Sequence, residues 1–115
     1  SAEDRGVVIQ VSGGSFEGPA LKGTVVAPSG DWQRWRSDGS KLLDIRLLLM
    51  TDDDQPINMT ARGLHWQPKD GPVYVRILPM FEAGAGKYAW LNHIVSVGVY
   101  HPMPGKVVYR IFRIL

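Results

Sequence analysis

The stretch Leu42-Leu43-Asp44-Ile45-Arg46-Leu47-Leu48-Leu49 decides how this chain is read, because charged residues recur at two-residue spacing inside an apolar run. In an extended strand residues i and i+2 share a face, so Asp44 and Arg46 stand together while Leu43, Ile45 and Leu47 point the other way. The same alternation recurs at Asp31/Gln33, Tyr74/Arg76 and Trp90/Asn92. If those polar faces turn inward, the protein has a polar pocket. If they turn outward, it has a charged surface.

Working outward, turn signals cut the 115 residues at nearly even intervals. Candidate strands run Arg5–Ser12, Ala20–Ala27, Asp31–Ser37, Lys41–Met50, Ile57–Leu64, Pro72–Phe81, Trp90–His101 and Lys106–Leu115. Gly13-Gly14, Pro28-Ser29-Gly30, Asp38-Gly39, Asp52-Asp53-Asp54 and Pro102-Met103-Pro104-Gly105 separate them. No segment sustains a helical period beyond two turns, so the chain reads as all-β. About eight sequential strands with short connections favour a single-domain antiparallel up-and-down barrel over residues 1–115, which removes exposed sheet edges. In the last strand both Val107, Tyr109, Ile111, Arg113, Leu115 and the alternate row are largely apolar. Burial on both sides is expected there, with a subunit interface as one natural cover.

Composition narrows the function classes. The chain has no cysteine, which removes disulfides, thiolate catalysis and thiolate zinc sites and fits a reducing cytoplasm. No apolar stretch approaches the roughly 20 residues of a membrane-spanning helix, and Ser1-Ala2-Glu3-Asp4 does not begin a signal peptide. A net charge of +2 with scattered lysines and arginines speaks against a nucleic-acid surface. In Trp32-Gln33-Arg34-Trp35-Arg36 the interleaved aromatic and basic residues read as cation–π pairs on a sheet surface rather than a platform for bases.

Several familiar sites are set aside. His65, His93 and His101 lack metal-ligand spacing. Gly13-Gly14-Ser15 is a tight hairpin, not a phosphate loop or nucleophile turn. Asp52-Asp53-Asp54 is a solvated turn rather than a calcium loop. No cofactor and no metal are expected.

Gly13-Gly14-Ser15-Phe16-Glu17-Gly18-Pro19, Leu21-Lys22-Gly23, Asp31-Trp32-Gln33, Asp44-Ile45-Arg46, Thr51-Asp52-Asp53, Arg62-Gly63, Tyr74-Val75-Arg76, Phe81-Glu82 and Tyr88-Ala89-Trp90-Leu91-Asn92 follow one another in this order. Together they resemble the bacterial and fungal family known as domain of unknown function 3237, over nearly the whole chain. That resemblance implies a compact, calycin-like β-barrel, a homo-oligomer and a small organic ligand, without an established common reaction. Members usually carry one further strand before the region matching Arg5–Ser12, which puts barrel closure in question here. The segment between Arg62-Gly63 and Tyr74-Val75-Arg76 is shorter than in many relatives, which would leave a pocket mouth more open.

The candidate constellation is Asp31, Gln33, Asp44, Arg46, Arg62, Tyr74, Arg76, Glu82, Tyr88 and Asn92. Inside a barrel, the arginines could hold a carboxylate, phenolate or enolate through their paired donors. Asp44 or Asp31 could move a proton, and Tyr88 with Asn92 could steady developing negative charge. Such equipment suits a cofactor-independent lyase or isomerase acting on a small aromatic or carbonyl metabolite. The competing readings are a non-catalytic binding module and a structural assembly domain. In the latter, Asp44 and Arg46 form an ion pair that fixes strand register or merely decorates the surface.

Overall fold

The computed structural model describes residues 9–12 and 14–115, with side chains described for 14–26 and 29–115. The candidate strand over Arg5–Ser12 therefore lies partly outside the described residues.

The strands are β1 (Ile9–Ser12), β2 (Ser15–Glu17), β3 (Lys22–Trp35), β4 (Lys41–Thr51), β5 (Pro56–Trp66), β6 (Tyr74–Ala83), β7 (Val95–Met103) and β8 (Lys106–Ile114). Every neighbouring pair is antiparallel, and the order closes when β1 pairs with β8. Among the described residues, the β1–β8 pair is what closes the circle. The expected all-β, up-and-down barrel of eight strands is what forms.

Three expected strands differ, and Ser15–Glu17, which lies between two of the expected strands, itself forms β2. The segments Ala20–Ala27 and Asp31–Ser37 are one strand, β3, with a bulge where Pro28-Ser29-Gly30 suggested a turn. Three residues of β3 (27–29) stand opposite Leu47 alone, and Ser29 holds the bulge by donating its hydroxyl to the Val26 carbonyl (2.6 Å) and accepting the Leu48 amide (3.0 Å). A side chain that bonds its own backbone lets the strand bend without ending it. Secondly, Ala89–His93 is a short 3-10 helix, and β7 begins only at Val95. This helix buries Leu91 in the barrel, with Trp90 and Ile94 packed against the core.

Inner and outer faces follow from the register. Leu43, Ile45 and Leu49 of β4 are buried, and they pair across to Gly63, Ala61 and Ile57 of β5. Those partners continue to Ile77, Pro79 and Ala83 of β6. Burying a Leu or Ile side chain contributes about 1.5–3 kcal/mol, so this aliphatic row decides which way each strand turns. Strands also approach closely inside: a Cβ on Gly98 would sit 2.5 Å from Cγ1 of Ile77.

The barrel is unevenly laced. β6 and β7 pair only at Arg76–Val99 and Ile77–Gly98, just before Pro79, which has no N–H to give to a ladder. On the other side β2 meets β3 only at Lys22–Thr24, and β1 meets β8 only at Val108–Ile111. Among the described residues, the second half of β3 and the start of β8 therefore flank a slot with no ladder across it.

The last strand is buried on both sides only in part. Val108 and Ile111 are enclosed, but Phe112, Ile114 and Leu115 are exposed in the single chain. Phe112 and Ile114 continue an outer apolar row with Leu78, Met80 and Val95.

Candidate functional site

The slot opens into a cavity of about 290 Å³ walled by Val25, Ile45, Leu47, Met59, Ile77, Val107 and Ile111, with Gly14 at one edge. Among the described residues, its two polar lining residues are Asp31 of β3 and Tyr109 of β8. Asp31 shares the inner face with Ile45, its register partner, while remaining exposed, which sets its carboxylate at the opening. Its Oδ2 accepts a hydrogen bond from Gln33 Nε2 (3.0 Å), whose Oε1 in turn accepts one from Lys41 Nζ (3.2 Å). Lys41 also lies 4.9 Å from the Trp35 ring centroid. The lysine is thereby held one residue away from the carboxylate. Among the described residues, Asp31 has no ion-pair partner.

Tyr109 contacts the edge of Tyr100 at 6.0 Å between centroids and an interplanar angle of 69°. Burial, followed by the negative charge of Asp31 and the neighbouring Tyr100, pushes its phenol up to about 12. Each cause disfavours phenolate, so Tyr109 is a protonated donor throughout the neutral range. An acceptor and a donor thus border one apolar cavity, the minimum equipment for orienting a polar group or relaying a proton.

The other sequence candidates are elsewhere. Asp44 and Arg46 stand on the outer face, correcting the expectation that they point into the barrel. Odd-numbered aliphatics of β4 take the interior, and period two then sends both charges out. Their ion pair is 3.7 Å long, with side chains 38% and 65% exposed, and Arg46 lies 5.9 Å from the Trp32 ring centroid. Arg62 is the register partner of Asp44 on the same outer face. Tyr74 and Arg76 are also outside, the guanidinium 4.5 Å from the ring centroid. Glu82 is exposed opposite Asn58.

Tyr88 and Asn92 serve the fold rather than the cavity. Asn92 clamps Ala83 of β6 twice, accepting its N–H at 2.7 Å and donating to its carbonyl at 2.9 Å. Buried Tyr88 donates to Asp53 Oδ1 (2.7 Å), which also accepts the Thr51 hydroxyl (2.6 Å). With Lys87 at 3.5 Å, these contacts hold the Asp53 carboxyl down at about 2, the Thr51 and Tyr88 hydrogen bonds being the main causes.

Of the ten candidates, the structure brings only Asp31 to the cavity lining, with Gln33 hydrogen-bonded to it from outside that lining. Tyr109 was missed as a site residue, although its place in the row Val107, Tyr109, Ile111 carried the signal: a hydroxyl within an inward apolar face. Among the described residues no group of three or more His, Asp or Glu side chains could hold a metal ion. No helix there is long and apolar enough to cross a membrane, which says nothing about strands.

Fold and site together define a small antiparallel β-barrel with an apolar, laterally opening cavity. The chain belongs to the family described as protein of unknown function (DUF3237), whose profile matches residues 1–114. Among solved structures it is similar to a β-barrel-like protein of Acinetobacter baumannii AYE, with 25% identity, TM-score 0.78, and coverage of 94% of this chain and 90% of the other. A conserved protein of unknown function from Rhodopseudomonas palustris gives 21% identity and TM-score 0.80, covering 96% and 95%. A protein of unknown function from Clostridium acetobutylicum ATCC 824 gives 22% and 0.82, covering 96% and 97%, and these last two likenesses speak to the fold alone. A search of curated proteins finds no match.

Proposed function

We propose that this protein binds one compact, mainly apolar metabolite in the barrel cavity, with Asp31 accepting a hydrogen bond from it. The observation that carries this reading is the pairing of an apolar chamber with one carboxylate and one phenol at its border. A volume of about 290 Å³ suits a body of roughly one ring. The test is a methyl NMR titration with a mixture of single-ring fragments. Shifts confined to Ile45, Leu47, Ile77 and Ile111 are expected, and Val107→Trp, placed at the slot rim, should abolish them. Shifts that appear only on the outer face would refute the interior site.

A second reading is supported by the state of Tyr109: a neutral phenol beside a carboxylate can donate while Asp31 accepts. A cofactor-independent lyase or isomerase would use that pair on a small aromatic or carbonyl metabolite. Its test is deuterium uptake at carbon from D2O by a panel of ring ketones. Uptake should vanish in Asp31→Asn and slow in Tyr109→Phe, whereas equal uptake in all three proteins would remove the pair from the chemistry.

Two broader properties are proposed beside it. The cysteine-free sequence supports a reducing cytoplasm, and the outer row of Leu78, Met80, Val95, Phe112 and Ile114 supports self-association.

A further inference from the structure

We infer that the cavity selects an organic cation, a compact protonated amine, and discriminates against carboxylates and phosphates. The inference rests on the cavity being the ligand site and concerns what that site admits. It reverses the charge preference that the arginine-rich candidate list implied.

Three observations carry it. Among the described residues, Asp31 is the sole charged one lining the cavity. The arginines that would have attracted an anion, Arg46, Arg62 and Arg76, all stand on the outer face, and Lys41 is linked to Asp31 only through Gln33. Lastly, the wall beside Asp31 is aliphatic and aromatic, with Tyr109 braced edge-on against Tyr100 at 6.0 Å.

Together these fix the sign of the field that a ligand meets on entering. An ammonium can donate a charge-assisted hydrogen bond to the Asp31 carboxylate and set its positive charge beside a phenol ring, while its apolar body fills the chamber. A carboxylate in the same pose meets like charge, with no compensating cation among the described residues of the wall. A bound ammonium also occupies the carboxylate as its counter-ion. Amines should therefore inhibit any proton transfer that Asp31 performs.

The experiment uses three probes of matched shape at pH 7: benzylamine, benzyl alcohol and benzoate, titrated against the full chain while the methyls of Ile45, Leu47, Ile77 and Ile111 are followed. Benzylamine should bind about tenfold or more tightly than benzyl alcohol, with benzoate weakest. Asp31→Asn should remove the preference, bringing benzylamine to the level the same variant shows for the alcohol, a loss several times larger than the alcohol's own. In the unaltered protein, rising salt should weaken benzylamine and spare the alcohol, an outcome independent of how the variant folds. Equal binding of all three probes, with the cavity methyls shifting, would overturn the charge selection and leave the cavity as the ligand site. If no probe moves those methyls, both conclusions fall together. Benzoate binding as tightly as benzylamine, or benzylamine unaffected by both Asp31→Asn and salt, would likewise overturn the inference.

Discussion

At the scale of single residues, similar side chains do different work according to which face receives them. Asp53 is solvent-exposed, yet Thr51 and Tyr88 donate to it and hold its carboxyl at about 2 against an ordinary 3.8. A depressed carboxyl stabilises the fold fully above its unfolded value and loses that contribution as pH falls through the folded one. Asp53→Asn should therefore melt lower than the parent above about pH 4, with the two melting temperatures converging towards pH 2. A gap that stays constant across that window would contradict the linkage. Asp44 has no such partners, only Arg46 at 3.7 Å across open surface. Asp44→Asn should change stability by less than about 0.5 kcal/mol in urea unfolding, and a loss above about 2 kcal/mol would show that the pair does more than decorate the strand. Sequence spacing placed Asp44 and Arg46 on one face correctly. It carried no sign for inside or outside, because apolar residues occupy both alternate rows of β4.

At the scale of elements, the bulge in β3 gives the site its form. Two surplus residues opposite Leu47 let one strand continue from the hairpin side of the barrel to the slot, where Asp31 returns to the inner face. Ser29 closes that irregularity with two hydrogen bonds. Ser29→Ala should cost about 1 kcal/mol and should selectively speed hydrogen exchange at the Leu48 amide. Unchanged protection at Leu48 would mean that the bulge stands without the hydroxyl. Pro28-Ser29-Gly30 was legible as an interruption, but turn and bulge use the same residues. Only pairing with β4 distinguishes them.

At the scale of the whole molecule, the barrel closes through a hairpin of two short strands, which seals one part of the circumference and leaves the slot beside it. The single chain also leaves Leu78, Met80, Val95, Phe112 and Ile114 exposed across β6, β7 and β8. We propose that a second copy covers this row, since a monomer seldom keeps a contiguous apolar patch bare. Light scattering at micromolar concentration should report a dimer or larger species, and Ile114→Lys should shift it towards monomer. A monomer in the unaltered protein would refute the assembly reading.

The sequence by itself determined the all-β class, the antiparallel order, most strand positions and the family, because period-two patterning and turn chemistry are local properties that neighbouring residues report to one another. It also placed Val107, Tyr109 and Ile111 on one face of the last strand. The tertiary structure decided which faces look inward, since that choice depends on aliphatic rows from several strands condensing into one core. It thereby sent Asp44, Arg46, Arg62 and Arg76 outside and left Asp31 at the cavity. It also set Asp31 and Tyr109, residues far apart in the chain, on the border of one cavity, because β3 and β8 flank the same slot.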